Sequence, residues 1–210
     1  MEQIEINKTI KLSEHYTLGE MTKTSTGMMN IPSRVSIENL KRVCGWLEAL
    51  RCRYNQRYVL GGSSSSPKLG EDRRGLNERQ VSPSSDHPEV TAAPSSDHPA
   101  HPGTPPNLGG EKDTEEPIII SSGYRSPEVN RKVGGSATSN HLTGCAVDIR
   151  VAGIEQALRY AVILIDYADE TRQDYDELLI ERNRSGRYWV HFAVRPPKSQ
   201  NRRKTAMLSV

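Results

Sequence analysis

The sequence predicts an α+β fold: helices packed on a small, mainly antiparallel sheet, with a long low-complexity insertion. Three observations carry this reading. The stretch "SIENLKRVCGWLEALRCRY" repeats apolar residues at helical spacing. Residues 61–116 are rich in Gly, Ser and Pro and contain no aromatic residue. Beyond them, short apolar runs read as strands on either side of a second helical stripe.

Taken in order, Ile37, Leu40, Val43, Cys44, Leu47, Leu50 and Tyr54 share one helix face, with Ser36 as the expected N-cap. One helix and a short leader bury too little to stand alone. Residues 1–60 are therefore the expected helical part of a domain that residues 117–200 complete. The intervening 61–116 segment cannot offset its ordering entropy by burial and is predicted to be a disordered insertion. Its repeated "PSSDHP" is too short to build a solenoid, and His87, His98 and His101 within it read as compositional. Ile118 to Ile120 read as a short strand, and Ser126 and Pro127 as the cap and first position of a helix that Gly134 and Gly135 end. Ile154, Ala157, Leu158, Ala161, Leu164, Ile165 and Ala168 form the second stripe. "DELLIERNRSGRYWVHFAV" reads as two strands joined by a polar turn around 183–186. Residues 201–210, with Arg202, Arg203 and Lys204, read as a solvated basic tail.

A net charge of +2, from 28 basic and 26 acidic side chains, argues against a nucleic-acid or anionic-membrane partner. Cys44, Cys52 and Cys145 are too few for a disulfide framework. "MEQIEINKTIKLSEHY" has no apolar run, so the expectation is no signal peptide, no transmembrane helix, and a cytoplasmic monomer.

The chemistry concentrates in "SNHLTGCAVDIRV" and "YWVHFAV". Alternate strand residues share a face, so Val147, Ile149 and Val151, and likewise Val190 and Phe192, make the core side. Asp148 and His191 then project from the other side, where His141 from the preceding loop can join them. Two imidazoles and one carboxylate suit a zinc ion with an open fourth position. Gly144 lets the chain turn between loop and strand. A hydrogen-bonded loop histidine is the alternative for His141. Cys145 reads as a small buried filler.

Together "SGYRSPEVN", "VGG", "SNHLTGCAVDIR" and "WVHFAV" resemble the zinc D-alanyl-D-alanine carboxypeptidase family, which includes D-Ala-D-Ala dipeptidases and phage L-alanyl-D-glutamate endolysins. Ser139, His141, Gly144, Ala146 and Asp148 fit its S-x-H-x-x-G-x-A-x-D pattern, and His191 fits its later ligand. The resemblance spans residues 10 to 60 and 117 to 200 and leaves out the insertion.

What the resemblance implies is a zinc metallopeptidase that hydrolyses a peptide bond involving a D-amino acid in peptidoglycan stem peptides. His141, Asp148 and His191 would hold the metal. Arg125 would hold an oxyanion or substrate carboxylate, or else form a structural ion pair. Ser139, Tyr124 and Trp189 are further substrate-binding candidates, with core packing the alternative for both aromatics. Several relatives place a glutamate three residues before the last ligand, where this chain has Tyr188. Glu181 is the nearest candidate for a general base, and it reaches the metal side only in an even hairpin register, such as Glu181 opposite Trp189. Asp176 and Glu177 are lesser candidates. The hedgehog signalling domain resembles the same fold and acts in recognition, so a non-catalytic zinc module is the competing expectation. A wall enzyme without a leader would act after release, as phage lysis enzymes do.

Overall fold

The computed structural model describes residues 9–60 and 114–210, which form one compact unit. The expected insertion lies outside the described residues except for 114–116. The elements are α1 (Leu18–Met21), α2 (Arg34–Tyr54), β1 (Ile120–Ser122), α3 (Pro127–Lys132), β2 (Ala146–Arg150), α4 (Ile154–Thr171), β3 (Glu177–Arg182), β4 (Tyr188–Ala193) and β5 (Lys204–Ser209). The strands form one sheet in the order β1-β2-β4-β3-β5. Every neighbouring pair is antiparallel except β3 and β5, which run parallel. The expected α+β class and mainly antiparallel sheet are both present.

Helices α2 and α4 cover one face of the sheet. Leu40, Val43, Leu47 and Leu50 of α2 are fully buried, and so are Val147, Ile149, Val190 and Phe192 of the sheet. Trp46, which lies off the predicted stripe, stacks edge-on against Tyr167 and tilts over Phe192. The α4 stripe is rotated from its expected position. Tyr160 and Ile163 are buried, whereas Leu158 is half exposed. Tyr160 packs edge-on against Tyr54 of α2.

Helix α2 starts one turn earlier than predicted. Ser33 is its N-cap, and Ser36 sits inside the first turn with its backbone N–H donating to Ser33 Oγ. The capping of α3 by Ser126, with Pro127 at the first helical position, is as expected. Strand β1 is displaced two residues from the predicted run, because Ile118 enters the core while Ile119 is exposed. Asn55, just past α2, exchanges two hydrogen bonds with the backbone of Glu116, which ties the two described segments together.

The 201–210 segment is not a free tail. Lys204 to Ser209 add a strand to β3, and Tyr175 Oη and Thr205 Oγ1 share a hydrogen bond of 2.6 Å. Its side chains are mostly exposed, so the backbone ladder holds it, a hold that composition does not reveal. Among the described residues no helix is long and apolar enough to cross a membrane.

Candidate metal centre

The site lies on the sheet face opposite α2 and α4. Strands β2 and β4 pair Asp148 directly with His191, so alternation aims both side chains away from the hydrophobic core. His141 comes from a single 3₁₀ turn, Asn140–Thr143. Ser139 caps that turn, its Oγ accepting from the His141 N–H. The turn ends at Gly144, whose φ of +73° suits glycine. A Cβ there would also stand 2.4 Å from the Ser36 carbonyl oxygen, so the turn can approach α2 only because Gly144 lacks one.

Ligand atoms from His141, Asp148 and His191 all lie within 4.8 Å of one another, and all three residues are buried. Asp148 Oδ1 is 3.2 Å from His141 Nε2 and 2.9 Å from His191 Nδ1. The other nitrogen of each ring is occupied. His141 Nδ1 is 2.6 Å from the Gly123 carbonyl oxygen, which can only accept, so Nδ1 carries a proton and Nε2 is the atom turned toward the site. His191 Nε2 faces Glu177 Oε2 at 3.6 Å. Carboxylate and carbonyl groups behind ligand imidazoles are the arrangement that orients a metal-binding histidine. The donor set, its spacing and its outer contacts therefore fit zinc, with one tetrahedral position left for solvent or substrate.

The charges are set by these contacts. Burial disfavours ionised Asp148, but His141 and His191 overcome that and hold its carboxyl well below the usual range. Burial likewise lowers the basicity of His191, yet Asp148 and Glu177 outweigh it and raise the ring to about 9. Glu177 is pulled down to about 2, chiefly by its contact with His191.

Arg125 does not face open solvent. Its Nη2 donates to Asp148 Oδ2 at 2.5 Å and its Nε to Ser122 Oγ at 2.8 Å, so the ion-pair alternative describes its contacts here. It steadies the carboxylate oxygen that the histidines leave free. Tyr124 is a core residue, with its backbone tied to Met21 and Asn30. Glu181 pairs with Trp189 and Leu179 with His191, the even register that turns Glu181 toward the metal side. Its Oε2 accepts from Trp189 Nε1 at 2.5 Å. Burial first, and then the Asp148 charge, raise its pKa, while His191, Trp189 and His141 act in the opposite sense. Tyr188, the residue at the family's usual glutamate spacing, turns to the core side instead.

A second carboxylate cluster supports the site from behind. Asp176 is fully buried and accepts from Asn140 Nδ2, from the Arg202 backbone N–H and from the Arg202 guanidinium. Arg195 Nε lies 3.0 Å away. Asn140 also donates to Glu177, which carries Arg202 and Lys204 on its other oxygen. The supposed tail thus braces both His141, through its neighbour Asn140, and His191, through Glu177. Nothing in the linear sequence signals this, because the tail's partners lie 25 or more positions away.

No match among curated proteins was found. The model of the family described as Peptidase M15 matches residues 110–169, less than half of the chain. The matched stretch contains His141, Asp148 and Arg125 and stops short of β3 and β4. Over that stretch the chain is similar to the Peptidase M15 family, and the similarity, with a His-Asp-His group spaced for one ion, supports a zinc metallopeptidase.

Proposed function

We propose that this protein hydrolyses a peptide bond involving a D-amino acid in peptidoglycan stem peptides. The observation that carries the proposal is the convergence of His141, Asp148 and His191 on one point, with Glu181 on the same sheet face. Bound zinc would supply Lewis acidity, polarising the scissile carbonyl and acidifying water. The chain's own residues do the rest. Glu181, made more basic by burial and by Asp148, takes a proton from the attacking water and delivers it to the leaving amine. Trp189 holds the Glu181 carboxylate in place through its indole N–H. Arg125 fixes the orientation of Asp148 and places a guanidinium beside the ligand group, where it can balance charge that develops on the carbonyl oxygen. Ser139 acts by holding the His141 turn.

The test uses the zinc-loaded protein, purified muropeptides and mass spectrometry of the products. Wild type should release D-alanine or a D-glutamyl fragment. Glu181→Gln should keep its zinc and lose about 100-fold or more in turnover, as expected for removal of a general base. His141→Ala should lose zinc. A wild-type protein that holds zinc but cuts no stem peptide would instead be a recognition module of the same fold.

A further inference from the structure

We infer that the cleft beside Trp189 is a subsite for a carboxylate-bearing residue of the substrate, read by Arg150 and Arg187 with Lys23. The inference rests on the peptidase reading and specifies which peptides the site prefers. The face that presents Asp148 and His191 continues by one strand pair, as Arg150 opposite Trp189. Two residues along a strand cover about 6.6 Å, the span of roughly two residues of an extended peptide. A substrate with its scissile carbonyl at the ligand group therefore carries a residue one or two positions away over Arg150.

Trp189 belongs to both places. Its indole N–H holds Glu181, and its ring lines a cleft shared with Lys23, Glu116, Ile119, Arg150 and Arg187. The cleft is unbalanced, with three cations and one carboxylate. That carboxylate, Glu116, already accepts from Gln156. Among the described residues no carboxylate pairs with Lys23, Arg150 or Arg187, whereas Arg53, Arg57 and Arg202 each have an acidic partner. Three unpaired cations around one groove repel one another, and a substrate carboxylate would relieve that repulsion. The groove also runs past β1, the edge strand of the sheet, where Ile119 is 45% exposed. An extended peptide can add to such an edge through its backbone, leaving its side chains to be read by the cations.

The experiment measures Kd for two fluorescently labelled peptides on zinc-loaded Glu181→Gln, which binds without turnover. One is the stem pentapeptide with its D-glutamate α-carboxylate free. The other has that carboxyl amidated. The expected result is about fivefold tighter binding of the free acid at low salt, the scale of an exposed charge-assisted contact. That ratio should fall toward one when R150Q and R187Q are added, and return when lysine is placed at both positions. Equal affinities for the two peptides, or no binding of either, would overturn the subsite, even where wild type cleaves both and the peptidase proposal stands. A clear preference in a protein whose wild type cuts nothing would support the subsite and remove the peptidase proposal.

Discussion

Asp176→Asn tests whether the bracing cluster stabilises the fold. Asp176 has no exposed surface and faces two arginines and the Asn140 amide. Burial alone would raise its pKa. The contacts with Arg202 and Asn140 outweigh that and draw the carboxyl from 3.8 to about 2. At roughly 1.4 kcal/mol per pH unit, this corresponds to about 2.4 kcal/mol of stability at neutral pH. Solvent reaches Arg202, which trims the figure to about 2 kcal/mol. The sign follows from a depressed acid: the contribution is complete above the unfolded value of 3.8 and disappears as pH falls through about 2. Urea unfolding of wild type and D176N at pH 7 and pH 3 measures it. The expected difference is about 2 kcal/mol at pH 7 and about half that at pH 3. A difference below about 0.5 kcal/mol at pH 7, or one that does not change with pH, would refute the account of Asp176 as a buried ionised anchor.

Three further outcomes follow from the same geometry. Gly144→Ala combines a positive φ with a Cβ 2.4 Å from the Ser36 carbonyl oxygen, so it should cost about 3 kcal/mol in urea unfolding and weaken zinc retention. His191 holds its proton up to about 9, so zinc must displace that proton, and zinc affinity in chelator competition should rise about tenfold per pH unit between pH 7 and 9. A flat profile there would remove His191 from the ligand set. Truncation before Lys204 deletes β5 and the Lys204 contact to Glu177, and should lower both the urea midpoint and zinc affinity, read by the same two assays.

The parts of this fold that were legible in the sequence are those where one face is buried and the other is not. Alternation in "AVDIRV" and "YWVHFAV" separates core from site without any knowledge of pairing, and the two strands do pair Asp148 with His191. The Glu181 register needed the hairpin itself, because a shift by one residue would have turned that side chain to the helices. Helical stripes gave the existence of α2 and α4 and the buried face of α2, but not the rotation of α4 or the burial of Trp46, whose contacts with Tyr167 and Phe192 join distant parts of the chain. Strand β5 was invisible because its side chains bury little and its stability comes from backbone bonds and from Asp176. Arg125 stands out in "SGYRS", yet the group it touches belongs to β2, more than 20 residues away, and only the pairing of the strands reveals it.

The paired hydrogen bonds between Asn55 and Glu116 bear on how this chain tolerates change in length. They hold the ends of the two described segments side by side, so the chain leaves and re-enters the described part of the domain at one place. For a flexible connection between two such points the closure entropy grows only with the logarithm of its length, about 0.6 kcal/mol for each doubling. Flexible sequence added at this junction should therefore cost the domain little, which makes it the natural place to attach a cargo or a second binding module.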